Sequence, residues 1–301
     1  MIKTVQFAAF VFLLTSCQIS NKRTDLLRNK IEQITSGKDA IVGVSIIADD
    51  GKDTISFHGD RQFPLQSVFK YHIALTMLSQ IDNGKFLPDQ KIEIQKKDLL
   101  PGLWSPLREE NPDGGSFPIS KLMEYAVSLS DNVACDVLLR LLGGPGVVED
   151  YFRKNNINDL SIKLNEEQQQ SDWDLQFQNH ITPKAANETL AKFYFNANQL
   201  LSPKSHDFIW KAMRETKTGE NRIKGLLPEG TVVAHKTGSS GTNKEGLTAA
   251  VNDIGIVFLP NGKYFFISVF VTNSKENEET NEKIIADIAK ATYDFYSNTT
   301  D

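Results

Sequence analysis

The chain has 301 residues, of which 40% are hydrophobic and 24% charged, and a formal net charge of −5. That is the composition of an ordinary globular protein with room for one or two packed units. The net negative charge and the lack of any basic run argue against a nucleic-acid partner.

At the N-terminus, Lys3 precedes the apolar run VQFAAFVFLL (5–14) and the small residues of LTSC (14–17). A basic residue, a short apolar run and small residues before a cut spell a secretory signal over residues 1–16. As a helix, a ten-residue run is about 15 Å long, too short for a bilayer core of roughly 30 Å. No other segment approaches a spanning length. Leu14-Thr15-Ser16-Cys17 also resembles the bacterial lipobox, which implies lipidation of Cys17 as the first mature residue. Cys135 is then left without a disulfide partner. It lies in the apolar run VACDVLLRLL (133–142), so a buried, inert thiol is expected. One cysteine and scattered histidines suggest no metal site.

Residues 25–34 carry apolar side chains at helical spacing. The stretches 41–48 and 54–57, joined by Asp49-Asp50-Gly51, read as a β-hairpin. The middle, about 62–214, is mostly helical, with helices predicted over 70–81, 120–130, 133–142, 183–195 and 205–213. Pro183 suits a first helical turn, and GGPG (143–146) turns the chain. Strands return over 231–237, 247–259 and 264–271, the last two joined at Asn261-Gly262. A polar stretch (274–283) leads into an amphipathic helix over 283–296, and the tail after it reads as frayed. These elements predict an α+β fold. An antiparallel sheet from both termini (17–60 and 215–301) is flanked by helices, and an all-α domain spans 61–214.

Three clusters could carry chemistry. Ser67 and Lys70 stand three apart at a helix start, on one face, where a lysine can take the proton of a serine nucleophile. The helix N-terminus offers free N–H groups to an oxyanion. Ser130-Asp131-Asn132 falls between two helices, where such residues also serve as caps. There Ser130 could relay a proton, and Asn132 could bind a substrate amide and Lys70. Lys-Thr-Gly occurs twice, at 217–219 and 236–238. The second triplet ends a strand, which presents backbone groups to an extended ligand. The first follows a helix in a polar run, where Gly219 reads as a turn glycine. The triplet at 236 is therefore taken as the site, and the one at 217 as a coincidence of spelling.

S-x-x-K, S-D-N and K-T-G in this order and spacing resemble the active-site serine β-lactamases and penicillin-binding proteins. Two glutamates, Glu166 and Glu167, lie between the second and third motifs, either of which could activate a deacylating water. Their stretch, NEEQQQSDW (165–173), resembles the extended-spectrum branch of class A β-lactamases that contains the VEB- and PER-type enzymes. The resemblance extends through LLPGLWSP (99–106), RLLGG (140–144), DFIWKAMRET (207–216), NRIKGLLP (221–228) and VVAHKTGSSG (232–241).

It implies an active site between the sheet and the helical domain, with Ser67 as nucleophile and Glu166 as the deacylation base. Gln170 stands where most of the class has an asparagine that helps hold the water. Trp104 is implied as an aromatic wall, against a plain reading as core packing. The N–H of Ser239 joins that of Ser67 in the oxyanion hole. Lys236, Thr237, Gly238 and Ser239 line the substrate-carboxylate end. The strand after the triplet lacks the arginine that many class A enzymes carry there. Arg222 takes its place by the branch's pattern, against a reading as an exposed helix-end residue.

The implied protein is a monomeric, periplasmic, lipid-anchored hydrolase of penicillins and cephalosporins, including oxyimino cephalosporins, that gives β-lactam resistance. No metal or organic cofactor is implied. The alternatives are a penicillin-binding D,D-peptidase, which lacks the loop glutamate, and a non-catalytic penicillin sensor, which needs a spanning segment.

Overall fold

The structure, a computed structural model, describes residues 24–298, so the expected signal and Cys17 lie outside the described residues. Helix α1 (24–35) leads to β1 (Ile41–Ala48) and β2 (Asp53–Phe57). Strand β3 (Phe63–Pro64) and a 3-10 turn (Gln66–Val68) open the helix α2 (Phe69–Asp82). Next come β4 (Lys91–Gln95), α3 (Pro106–Glu110), β5 (Gly114–Pro118), α4 (Ile119–Ser128), α5 (Asn132–Leu142) and α6 (Pro145–Lys154). They are followed by β6 (Leu160–Ser161), α7 (Glu166–Ser171), β7 (His180–Ile181), α8 (Pro183–Phe195) and α9 (Pro203–Arg214). The last described elements are β8 (Val233–Ser239), β9 (Val251–Phe258), β10 (Tyr264–Thr272) and α10 (Glu278–Ser297).

The main sheet is antiparallel throughout, in the order β2-β1-β10-β9-β8. Strand β1 lies against β10 from Ile41↔Thr272 to Ala48↔Phe265, so the two ends of the chain meet at its centre. The strands bury both faces, because alternate residues point to opposite sides. Phe265, Ile267, Val269 and Val271 pack with Leu27 and Ile31 of α1 and with Ile284, Ile285 and Ile288 of α10. Phe266 and Phe270 join the larger core of the helical part. Asn187 of α8 fastens that part to the sheet, accepting from Ser268 Oγ at 2.6 Å and donating to Phe266 O at 3.3 Å.

The α+β arrangement matches the expectation, with instructive differences at the ends of elements. The helix expected to reach residue 130 stops at Ser128, because Ser130 takes a left-handed φ of 59°. The strand expected from 247 starts at Val251, since Thr248 turns aside to exchange backbone hydrogen bonds with Ser274. Helix α10 starts at Glu278 rather than 283, because the Asn277 side chain accepts from Thr280 N at 2.8 Å and caps the polar stretch into helix. Helix α2 is buried from Phe69 through Ser79, on all sides, which makes it the centre of the helical part.

Candidate active site

The turn at Gln66–Val68 delivers Ser67 to the mouth of α2, one turn before Lys70. Gln66 holds a left-handed φ of 46°, which lifts Ser67 out of the helix to a half-buried position. The i, i+3 spacing brings the two side chains together, with Lys70 Nζ donating to Ser67 Oγ at 2.6 Å. Lys70 is fully buried and also reaches Asn132 Oδ1 at 2.5 Å and Ser130 O at 3.0 Å.

Those two partners come from the turn between α4 and α5, which Asp131 shapes. Its buried carboxylate accepts from Ala134 N (2.8 Å), Leu107 N (2.7 Å) and Ser105 Oγ (2.9 Å). One side chain thus caps α5 and pins the neighbouring loop, turning Ser130 and Asn132 toward the cleft on either side of it. Asn132 N donates to Trp104 O at 3.0 Å, which seats Trp104 on the same rim. The indole N–H donates to Leu129 O at 3.0 Å, while the side chain stays 56% exposed. Trp104 therefore faces the cleft and not the core.

The fourth neighbour of Lys70 is one of the two loop glutamates. Glu166 is 1% exposed and its Oε1 lies 2.6 Å from Lys70 Nζ, whereas Glu167 points to solvent. Gln170 Nε2 donates to Glu166 Oε2 at 3.2 Å, so the glutamine reaches the carboxylate despite its extra methylene. Asp136 of α5 accepts from Glu166 N at 2.7 Å and Glu167 N at 3.1 Å. Burial pushes the Asp136 carboxyl up to about 6. The loop bearing Glu166 closes at a neck of amides. Buried Asn179 accepts from Lys163 N (2.8 Å) and Leu164 N (3.0 Å) and donates to Leu164 O (2.9 Å). Gln169 and Gln176 join the loop to Gln66, beside the serine.

Strand β8 forms the opposite wall and runs through Ser239, so the whole of Lys236-Thr237-Gly238-Ser239 lies on a sheet edge. A Cβ on Gly238 would sit 2.6 Å from Leu65 O, so glycine alone lets the strand close on the serine turn. Lys236 Nζ donates to Ser130 Oγ at 3.0 Å and to Thr237 O at 2.9 Å. Burial, and then the nearby Lys70 charge, hold the Lys236 ammonium well below the usual lysine range.

Arg222 is 4% exposed, not a solvated helix end. Its Nη2 donates to Ser239 Oγ at 2.7 Å, and its Nη1 to Gly238 O at 3.2 Å and Asn252 O at 3.0 Å. Glu282 of α10 accepts from Nε at 3.1 Å. All the expected site residues within the described chain therefore converge on one cleft of about 600 Å³ or its floor.

Sequence reasoning missed several contributors. Trp173 lines the rim opposite the sheet edge, and Thr218 of the first Lys-Thr-Gly lines the cleft beside Thr237. Both triplets thus reach the site, by different surfaces. Trp173 closes the NEEQQQSDW stretch that carried the resemblance, which was its signal, and the repeated triplet was one for Thr218. Glu282 and Asp136 had no local signal. Cys135, buried on α5 with its thiol pushed up by burial, plays no part in the cleft.

A family model described as "Beta-lactamase enzyme family" matches residues 26–296. The chain is 53% identical to β-lactamase VEB-1 of Pseudomonas aeruginosa over 93% of each protein. It is 43% identical to the extended-spectrum β-lactamase PER-1 of the same organism, over 92% of this chain and 89% of that one. The crystal structure of the TLA-1 extended-spectrum β-lactamase superposes with a TM-score of 0.89 at 44% identity, covering 91% of this chain and 99% of that chain. A class A β-lactamase structure from Bacteroides cellulosilyticus superposes at 0.87 with 34% identity, over 92% of this chain and 99% of that chain. With a buried lysine joining the S-x-x-K serine to the loop glutamate, and these likenesses along nearly its whole length, the chain belongs to the β-lactamase enzyme family, in the company of its class A members.

Proposed function

We propose that the protein hydrolyses the lactam amide of penicillins and cephalosporins, oxyimino cephalosporins among them, through an acyl-enzyme on Ser67. The observation that carries this reading is the environment of Lys70 Nζ. Four oxygens lie within 3.0 Å of it: Ser67 Oγ, Asn132 Oδ1, Ser130 O and Glu166 Oε1. An ammonium has three protons, and among the four oxygens Ser67 Oγ is the one whose own proton must leave for attack. The Lys70–Glu166 pair therefore takes that proton as Oγ adds to the lactam carbonyl. The N–H groups of Ser67 and Ser239 receive the oxyanion. Ser130, held by Lys236, passes its hydroxyl proton to the leaving nitrogen as the C–N bond breaks and is reprotonated from the Lys70–Glu166 pair, which leaves Glu166 ionised again. Glu166, steadied by Gln170, then removes a proton from water, whose oxygen displaces Ser67 and releases the ring-opened acid. Trp104 walls the cleft and Asn132 binds the substrate's amide. Lys236, Thr237, Ser239 and Arg222 hold its carboxylate, with Gly238 giving the backbone room to do so.

Mass spectrometry after mixing with a penicillin tests this. Wild type should show product and no lasting adduct, and Glu166→Ala a long-lived adduct on Ser67. Turnover of Glu166→Ala at the wild-type rate would remove Glu166 as the base. A lasting adduct on the wild type would instead favour a penicillin-binding protein.

The segments 17–60 with 215–301, and 61–214, serve as the two domains that enclose the cleft. The protein acts as a monomer in the periplasm, tethered through a lipid on Cys17. The lipobox pattern supports that tether.

A further inference from the structure

The first Lys-Thr-Gly triplet lies against the second. Thr218 Oγ1 and Thr237 Oγ1 are 2.5 Å apart. Gly219 permits the approach, because its φ is +69° and a Cβ there would fall 2.5 Å from Thr237 Cγ2. The segment is fastened at both ends. Thr216 Oγ1 donates to His235 O at 2.7 Å, and Ile223 N donates to Asp253 Oδ2 at 3.2 Å. Asp253 is fully buried and paired with His235 Nδ1 at 3.0 Å, so its anchor is rigid. Lys217 N donates to Ser128 O at 2.9 Å, while the Lys217 side chain points to solvent. The placement of Thr218 is thus built into the fold and is not a loose turn.

A hydroxyl has one proton to give and lone pairs to accept with. Among the described residues, Thr218 is the one hydrogen-bond partner of the Thr237 hydroxyl. If Thr237 donated to Thr218, it would turn lone pairs toward an incoming carboxylate. If Thr218 donates, Thr237 keeps its proton for the cleft, and each bond in such a chain polarises the next. A charged acceptor makes the stronger bond, so an anionic substrate selects the second arrangement.

We propose that Thr218 is a positioning residue that donates to Thr237 Oγ1 and so presents Thr237 as a donor to the substrate carboxylate. The inference rests on the carboxylate binding at Thr237, Ser239 and Arg222 as set out above. It accounts for the repeated triplet: one copy binds the anion, and the other orients the first copy's hydroxyl.

The test compares a penicillin with its methyl ester on wild type, Thr218→Val, Thr218→Ser, Thr237→Val and the double variant Thr218→Val/Thr237→Val. Thr218→Val should raise KM for the free acid about two- to threefold at nearly constant kcat, because Thr237 keeps its own bond to the anion and loses the donor that orients and polarises it. Its kcat/KM for the ester should match wild type, which also shows that the variant is folded. Thr218→Ser should restore the acid preference, and Thr218→Val should add nothing in the Thr237→Val background. An unchanged KM for the acid, equal losses on acid and ester, or additive losses in the double variant would each overturn the role of Thr218 alone. A wild type indifferent to esterification would remove the carboxylate subsite itself, and Thr218 with it.

Discussion

Replacing Arg222 with alanine should separate recognition of the substrate's charge from the chemistry at Ser67. The guanidinium donates to Ser239 Oγ, Gly238 O, Asn252 O and Glu282 Oε1. Loss of one charge-assisted hydrogen bond to the carboxylate costs about 1.5–3 kcal/mol, or roughly 10- to 150-fold in affinity. KM should therefore rise by about one to two orders of magnitude, with kcat within about threefold of wild type, since Ser67, Lys70 and Glu166 are untouched. Stability should fall as well, because the Glu282 side chain is 13% exposed and loses its cation. A fully buried orphan charge costs about 3–5 kcal/mol, and partial access to water brings this to about 2–3. That lowers Tm by about 3–5 °C for a chain of this size, short of unfolding it at 25 °C. Glu282→Gln keeps an acceptor at Nε and should shift KM by less than about threefold. Steady-state kinetics with thermal unfolding on the same preparations would check all three. An Arg222→Ala enzyme with wild-type KM, or one that loses kcat at constant KM, would refute the placement of the charge.

Two further outcomes follow from the loop tether and the N-terminus. The Asp136 carboxyl sits at about 6 in the folded chain, against an ordinary value of 3.8. The folded chain thus holds this proton more tightly than the unfolded one, and between about pH 4 and 6 the group lowers stability as pH rises, by on the order of 3 kcal/mol. Chemical denaturation of Asp136→Asn across that window should give a flatter pH profile than wild type, and parallel profiles would contradict the assignment. Metabolic labelling with palmitate should mark the expressed protein and fail with Cys17→Ala, and an unlabelled wild type would rule out the anchor.

The chemistry was legible where it lies within one element or one motif. Ser67 and Lys70 share a helix turn, Asn132 opens a helix, and Lys236-Thr237-Gly238 ends a strand, so the order of the motifs and the resemblance it carries singled them out. Residue type alone left Glu166 and Glu167 open, and the family resemblance chose Glu166, which the structure buries beside Lys70 while Glu167 is exposed. Glu282 stands in a run of acids that all read as solvated, and only the packing of α10 against the 220s picks it out. Asp253 likewise gains its meaning from a histidine on the neighbouring strand. Strands β3, β6 and β7 have two residues each, less than one period of any hydrophobic pattern. Thr218 was discounted because the sequence shows a triplet's position along the chain and not which strand it folds back upon.

The pairing of β1 with β10 also sets the order of events during biogenesis. Ile41 and Thr272 are partners, 272 − 41 = 231 positions apart in the chain. A nascent chain that has not reached Tyr264 offers β1 no central neighbour, and the core against α1 and α10 has one wall missing. Contacts of such separation are slow to form because their loop-closure entropy comes before any reward. The main sheet therefore cannot close until nearly the whole chain has been synthesised, and its central strand pair is among the last contacts to form.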